Sequence, residues 1–475
     1  MWFRDDLRIE DNFALQQAIT SASSTVALYI HCPNQWQKQA IGPNRQLFHL
    51  RHLQALFQNL AAFNIEGLFR VVDDFSKVPD LIVEMAKSMD AASVICNRQW
   101  GHWEQDRDSA TRLALQRNDV DFKSFDDDCI LEPAKIAQSN GDPYKVFTPF
   151  KRTWYQQLDL NHLPVFATID VCERVNLPDT VQTEQVKLTS IIEDLSSQVK
   201  TSVQDAWPIG QKAAFKALDN FINDELSNYH DKRDYPELLG TSQISPYLAS
   251  GVLAPRTVFK KAADASRSGQ KGRETWLSEL VWRDFYRHIM NNFPHVSKDQ
   301  PFNLEYQGLT WSSNQSHFES WQQGQTGVPL VDAGMRQLLQ TGWMHNRVRM
   351  VVAMFLTKNL FLDWRLGEAH FMQHLVDGDF PSNNGGWQWS ASIGTDAAPY
   401  FRVFNPFTQA ERFDPDCTYI KKYIPELNSV EKKIILKADK HQSELEQAGY
   451  ATCIVDVKAS RKAAIDAFKL YKEKV

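Results

Sequence analysis

The sequence predicts a doubly wound, parallel-sheet α/β domain, then an extended linker, then an all-α domain. Three observations carry this. Residues 1–130 alternate short apolar runs with helix-like stretches, residues 131–205 are polar and broken by prolines, and residues 206–475 are dominated by helical periodicity. At 475 residues the chain also exceeds one ordinary core, since domains usually hold roughly 100 to 200 residues.

In the first part, 26–30, 68–72, 94–96 and 120–125 read as strands, and 44–63, 79–88 and 103–117 as the helices between them. Met1 stands directly against Trp2-Phe3-Arg4, which leaves little to pair in a first, central strand, so further residues are expected ahead of it. No G-x-G-x-x-G follows any strand, so the turn that cradles a dinucleotide phosphate is absent and this domain is not expected to bind NAD. In the linker Pro133, Pro143, Pro149, Pro164 and Pro178 interrupt any long helix. Beyond it, 211–228, 272–291, 328–341, 343–361 and 366–375 read as helices, with no internal repeat or low-complexity segment.

Hydrophobic residues at 43% and charged residues at 23% match a globular chain with no membrane-spanning run. The N-terminus has no basic segment leading into an apolar one, so a cytoplasmic location is expected. The six cysteines have no paired spacing, which argues against a zinc site or a disulfide framework. A formal charge of -6 offers no global attraction to nucleic acid, so any such binding must use a local basic surface.

Eight of the 14 tryptophans fall between residues 276 and 389. Indoles in this number either fill a large helical core or line a flavin or base-stacking site, and composition leaves both readings open. On a helix through Thr275 to Tyr286, the side chains of Trp276, Glu279, Arg283 and Tyr286 share a face, with Trp282 beside them. They converge on a ligand, or they form an amphipathic core face with a buried Glu–Arg pair.

A helix through Gly342 to Met350 would align Trp343, Asn346, Arg349 and Met350 on one face and direct Arg347 elsewhere. Burying an amide and a guanidinium without partners costs roughly several kcal/mol, so this face calls for a polar ligand or acidic partners. Asp377-Gly378-Asp379, followed by Asn383-Asn384-Gly385-Gly386-Trp387-Gln388-Trp389, gathers carboxylates, amides and indoles in a stretch expected to be irregular and functional. The aspartates lack nearby His or Glu at ligand spacing, so no metal is expected and a cofactor pocket fits better. Thr241-Ser242-Gln243-Ile244-Ser245 offers hydroxyls ahead of a helical stretch, suited to a pyrophosphate or to plain helix capping.

These residues resemble a known family. Trp2-Phe3-Arg4-Asp5-Asp6-Leu7-Arg8, the run from Glu279 to Tyr286, Thr341 to Met350, and Asp377 to Arg402 are similar to the photolyase and cryptochrome family, and specifically to class I cyclobutane pyrimidine dimer photolyases. The resemblance implies FAD folded into the helical domain and UV-damaged DNA as partner, with a flipped pyrimidine dimer facing the flavin. Excited reduced FAD would donate an electron, the cyclobutane ring would split, and the electron would return.

By position, the resemblance implies that Tyr229, Thr241, Ser242, Gln243, Ile244 and Ser245 hold the ribityl-diphosphate arm and that Arg283 offsets its charge. Trp276, Trp343 and Asn346 complete the pocket. Arg349 and Asp377 would pair beside the flavin, next to Gly378, with Asp379 at the ring edge and Asn383 at the central-ring nitrogen. Trp282 and Trp389 would wall the dimer, Met350 and Asn346 would pack against it, and Glu279 would bond its edge. Arg233, Arg347 and Arg402 would contact phosphates. Trp387, Trp364 and Trp311 match the family's electron relay, and Trp321 stays with the core.

The folate-using branch implies methenyltetrahydrofolate as a second, antenna chromophore. Glu104 and Lys298 match its holding positions, but Gln39 and Trp103 stand where His and Asn are expected, which keeps a deazaflavin or an empty site open. The rival reading is a cryptochrome-type blue-light photoreceptor. Asn383, and a chain that ends at Val475 without a long polar tail, oppose it. A light-independent helical DNA-binding module is the third reading. The resemblance implies a monomer.

Overall fold

The computed structural model describes residues 1–474 apart from 161–162, 164, 166–168, 179–180, 182–183 and 266–268, so Pro164 lies outside the described residues. The chain divides into two compact units. The first comprises Met1–Leu226, Ser242–Pro294 and Val376–Pro381, and the second Ser227–Thr241, His295–Leu375 and Ser382–Val475.

Among the described residues five strands form the sheet framework of the first unit, all paired in parallel. β1 (Trp2–Phe3) pairs with β2 (Val26–His31), and β2 pairs with β3 (Glu66–Val71) from Val26 opposite Glu66 to His31 opposite Val71. β4 (Ser93–Asn97) and β5 (Asp121–Phe125) form a separate two-stranded pair. β1 is short, but Met1 extends its ladder: its amine donates to the Val26 carbonyl and its carbonyl accepts from Leu28 N, both at 2.8 Å.

Helices cover both faces because successive strand residues point opposite ways. Cys96 packs with Leu28, Leu68, Ile82 and Leu115 under the Val78–Ser88 and His102–Gln116 helices. Its neighbour Ile95 packs with Ala14 and Ala18 of the Phe13–Ser21 helix on the other face. This is the doubly wound arrangement read from the sequence.

The proline-broken stretch departs from the expected irregular linker, for it carries the Phe147–Gln157, Gln185–Gln198 and Thr201–Ala206 helices. Its described prolines fall at or outside helix starts, with Pro149 in a first turn, where a missing N–H costs nothing. Buried Phe147, Phe150 and Trp154 at helical spacing supply the apolar face.

The second unit is helical. Its core gathers Trp321, Met335, Leu338, Val352, Trp364, Phe371, Trp387 and Phe468. The helix expected over 343–361 starts at Asn346 and runs to Met354, continuing as a π-helical turn, Phe355–Asn359. Gly342, at φ 67°, ends the preceding Pro329–Thr341 helix, so Trp343 lies in the connection and does not share a helical face with Asn346 and Arg349.

Asn383 to Trp389 is not irregular either, since all of it lies in the Phe380–Ala391 helix. Two interior glycines weaken helix propensity. Stitching from Gln388 Nε2 to Asn384 Oδ1 at 3.0 Å and burial of Trp387 outweigh that. No helix among the described residues is long and apolar enough to cross a membrane, and none of their His, Cys, Asp and Glu side chains form a group of three or more able to hold a metal.

Candidate functional site

In the first unit the Gln270–Asn292 helix positions the chemistry. Trp276 is buried against Phe221, ring centroids 5.2 Å apart, and its Nε1 donates to Ser242 Oγ at 3.4 Å. Exposed Gln243, at φ 49°, turns the chain so that buried Ile244 leads into the Ser245–Ala249 helix. Ser245 Oγ donates to Asp377 Oδ2 at 2.7 Å, with buried Gly378 following. The hydroxyl run and the aspartate cluster, 132 positions apart, thus meet.

Half-buried Glu279 lies on the same helix, one turn before Arg283. Trp282 stacks flat on Phe147, with centroids 3.6 Å apart and planes 9° from parallel. Phe147 went unnoticed in the sequence; the signal was its helical spacing with Phe150 and Trp154.

Arg283 does not stand free to offset a diphosphate. Its guanidinium is bonded to the carboxylate and the carbonyl of Asp128, because a half-buried guanidinium takes the nearest anion. One turn later, Arg287 Nε donates to the other Asp128 oxygen at 3.0 Å, and its Nη1 and Nη2 grip both Asp379 oxygens at 2.8 and 2.6 Å. Asp128 and Arg287 were also missed, and no local spacing signals a partner 159 positions away. Between the two arginines Asp284 accepts from Ile130 N, Leu131 N and Trp154 Nε1, and burial pushes its carboxyl up to about 6. In the α/β part, buried Glu104 accepts from Gln39 Nε2 at 2.6 Å, so the substituted Gln39 does reach the matching Glu104, while Trp103 is exposed.

In the second unit Arg233 and Arg347 converge on Asp234, at 3.8 and 2.8 Å. Arg233 also covers the buried Tyr229 ring at 5.4 Å, and Arg347 lies 4.6 Å over Phe413 and 3.8 Å from Met350 Sδ. Thr241 is half-buried at the edge of this unit, and Lys298 and Arg402 are exposed. Arg349 lies 6.0 Å over half-buried Trp343, with Nε bonded to the Met344 carbonyl at 2.7 Å. Asn346 is exposed at the first position of its helix.

Asn383 Nδ2 donates to the Glu368 carbonyl at 3.0 Å. Trp387 is buried against Phe371 at 4.9 Å and Trp321 at 6.0 Å. Trp321, assigned to the core, is fully buried. Trp364 is fully buried at the start of the Trp364–His374 helix, Trp311 is half-buried against Phe361 at 5.1 Å, and Trp389 meets Phe404 edge-on at 6.5 Å. Gly367 makes room for Trp387, because a Cβ there would sit 2.1 Å from its ring.

Two family models match the chain: DNA photolyase over residues 1–168, and the FAD binding domain of DNA photolyase over residues 276–470. A Vibrio cholerae protein named deoxyribodipyrimidine photo-lyase is 39% identical over 474 residues, covering 99% of both chains. The chain belongs to the DNA photolyase family. Among solved structures, a bacterial class III photolyase from Agrobacterium tumefaciens is 33% identical with a TM-score of 0.88, covering 99% of this chain and 97% of that one. An archaeal photolyase from Sulfolobus tokodaii, solved with two FAD molecules, is 28% identical with a TM-score of 0.82, covering 99% of both.

The photolyase FAD-binding match takes in Trp276, Glu279, Asp377, Asp379 and Asn383. The donor set fits such a group: serine hydroxyls suit phosphate oxygens, and a carboxylate bonded to a guanidinium suits a ring N–H.

Proposed function

We propose that this chain repairs cyclobutane pyrimidine dimers in UV-damaged DNA in a light-driven reaction with FAD. The observation that carries this reading is the end-to-end match, at 39% identity, to a relative named deoxyribodipyrimidine photo-lyase. When bound and reduced, FAD supplies on illumination the electron that opens the cyclobutane ring, and takes it back afterwards.

The chain's residues bind, orient and screen. Ser242, Gln243, Ile244 and Ser245, with Tyr229 and Thr241, hold the phosphate-bearing arm, and Arg283 frames it through its pair with Asp128. Trp276, Trp343, Asn346, Arg349, Asp377, Gly378, Asp379 and Asn383 line the ring. Trp282, Trp389, Asn346 and Met350 wall the flipped base, while Glu279 stabilises charge at the pyrimidine edge. Trp387, Trp364 and Trp311 conduct electrons to the cofactor in a step separate from repair.

Arg233 and Arg347, with exposed Arg402, draw backbone phosphates. Glu104 and Lys298 hold methenyltetrahydrofolate as antenna; the second FAD of the Sulfolobus tokodaii photolyase marks the alternative occupant. Residues 1–130 act as the antenna-type domain, 131–205 as the connection and 206–475 as the catalytic domain. The protein works as a cytoplasmic monomer.

Purified, reduced protein incubated with UV-irradiated oligonucleotide should remove dimers under blue light and not in darkness. Equal dimer content in the two arms would overturn the assignment.

A further inference from the structure

Arg287 lies fully buried on the Gln270–Asn292 helix, and all three guanidinium nitrogens are bonded to carboxylates. Nε donates to Asp128 Oδ2 at 3.0 Å, Nη1 to Asp379 Oδ2 at 2.8 Å and Nη2 to Asp379 Oδ1 at 2.6 Å. The grip on Asp379 is a fork, two parallel bonds that fix both the position and the plane of the carboxylate. Asp128 in turn spends its other oxygen and its carbonyl on Arg283. Two arginines and two aspartates therefore balance in charge, and Arg287 is the member bonded to Asp379.

We propose that Arg287 is a positioning residue that orients Asp379 and balances its charge, and so sets the affinity and the redox potential of the bound flavin. The proposal rests on the reading that Asp379 faces the flavin ring. A carboxylate that accepts from a ring N–H would need one lone pair aimed at it, and the fork fixes the position and plane of the Asp379 carboxylate. Charge balance matters because reduction adds electrons to the ring. A buried unit of negative charge left uncompensated nearby disfavours the reduced form far more than it would in water. Asp128, tied to the chain that follows β5, anchors Arg287 from the α/β side.

The test uses full-length, FAD-loaded protein and two readouts other than repair: equilibrium redox titration of the flavin and the FAD dissociation constant. Arg287→Gln should make one-electron reduction at least tenfold less favourable, a fall of about 59 mV. Asp379→Asn should move the potential the other way. Arg287→Lys keeps the charge and loses the fork, so it should restore the potential to within twofold while weakening FAD binding at least fivefold.

A folded, FAD-loaded Arg287→Gln whose reduction equilibrium changes less than twofold, while Asp379→Asn shifts it, overturns the positioning role and leaves the flavin reading of Asp379 standing. If Asp379→Asn moves neither quantity, the flavin reading of Asp379 falls and takes the proposal with it. Should Arg287→Gln fail to fold, Arg287→Lys decides alone, and FAD affinity equal to the parent's overturns the role.

Discussion

Glu368 Oε1 accepts a hydrogen bond from Asn384 Nδ2 at 2.9 Å, deep enough that burial pushes the Glu368 carboxyl up to about 8. The folded chain therefore holds this proton more tightly than the unfolded chain, whose ordinary value is 4.5. Its stabilising contribution is complete below about 4.5 and is lost as pH rises through about 8.

Glu368→Gln keeps an acceptor for Asn384 and removes the titration. Across the pH window from 4.5 to 8 the parent should lose about 1.4 kcal/mol per pH unit relative to the variant. Denaturant unfolding at a series of pH values measures this, and parallel stability curves would contradict it.

Gly367 is the residue that admits Trp387. A Cβ at this position would sit 2.1 Å from the indole, inside any real contact distance. Gly367→Ala must push the ring or the Trp364–His374 helix aside, at a cost of about 1 to 3 kcal/mol, despite alanine's better helix propensity. Thermal unfolding should show a lower Tm, and a rise would mean that the Trp387 ring adjusts freely.

Phe147 backs Trp282 face to face at 3.6 Å. Such pairs contribute about 0.5 to 1.5 kcal/mol beyond area burial, so, with Trp282 proposed to wall the flipped base, Phe147→Leu should loosen Trp282 and weaken binding of a dimer-containing duplex about two- to tenfold. Undamaged duplex should bind as before, because no flipped base reaches the wall. Fluorescence anisotropy with matched duplexes separates the two, and equal weakening of both would place Phe147 in general DNA contact.

Local patterns carried most of what was legible in the sequence. The β2 to β5 strands and their helices came from apolar alternation and run length, and the clustering of Trp276 to Trp389 came from composition. Three departures stand out. Helical spacing in Phe147, Phe150 and Trp154 was masked by prolines that sit where helices tolerate them. The Gly385-Gly386 pair made a packed helix look like a loop, and the connection after Gly342 starts the next helix at Asn346 rather than at 343. In each case tertiary burial, or one backbone position, overrode local preference. Asp128 lies 155 positions from Arg283 and Asp234 113 positions from Arg347, distances over which spacing carries no information. Those pairings changed the reading of Arg283 most, because its charge already has a local owner.

Arg402 is exposed, and its backbone N–H bonds the Pro399 carbonyl at 2.8 Å, which fixes the chain without occupying the guanidinium. If it meets a phosphate, its contribution is the release of roughly one condensed counterion, so Arg402→Ala should reduce the slope of log K against log salt by about 0.9. The loss should be the same for damaged and undamaged duplex, because phosphates are shared by both, and the ratio of the two affinities should stay constant. Binding isotherms at four or five salt concentrations provide both numbers. A slope equal to the parent's would remove Arg402 from the phosphate contacts, and a changed ratio would move it from the backbone to the lesion.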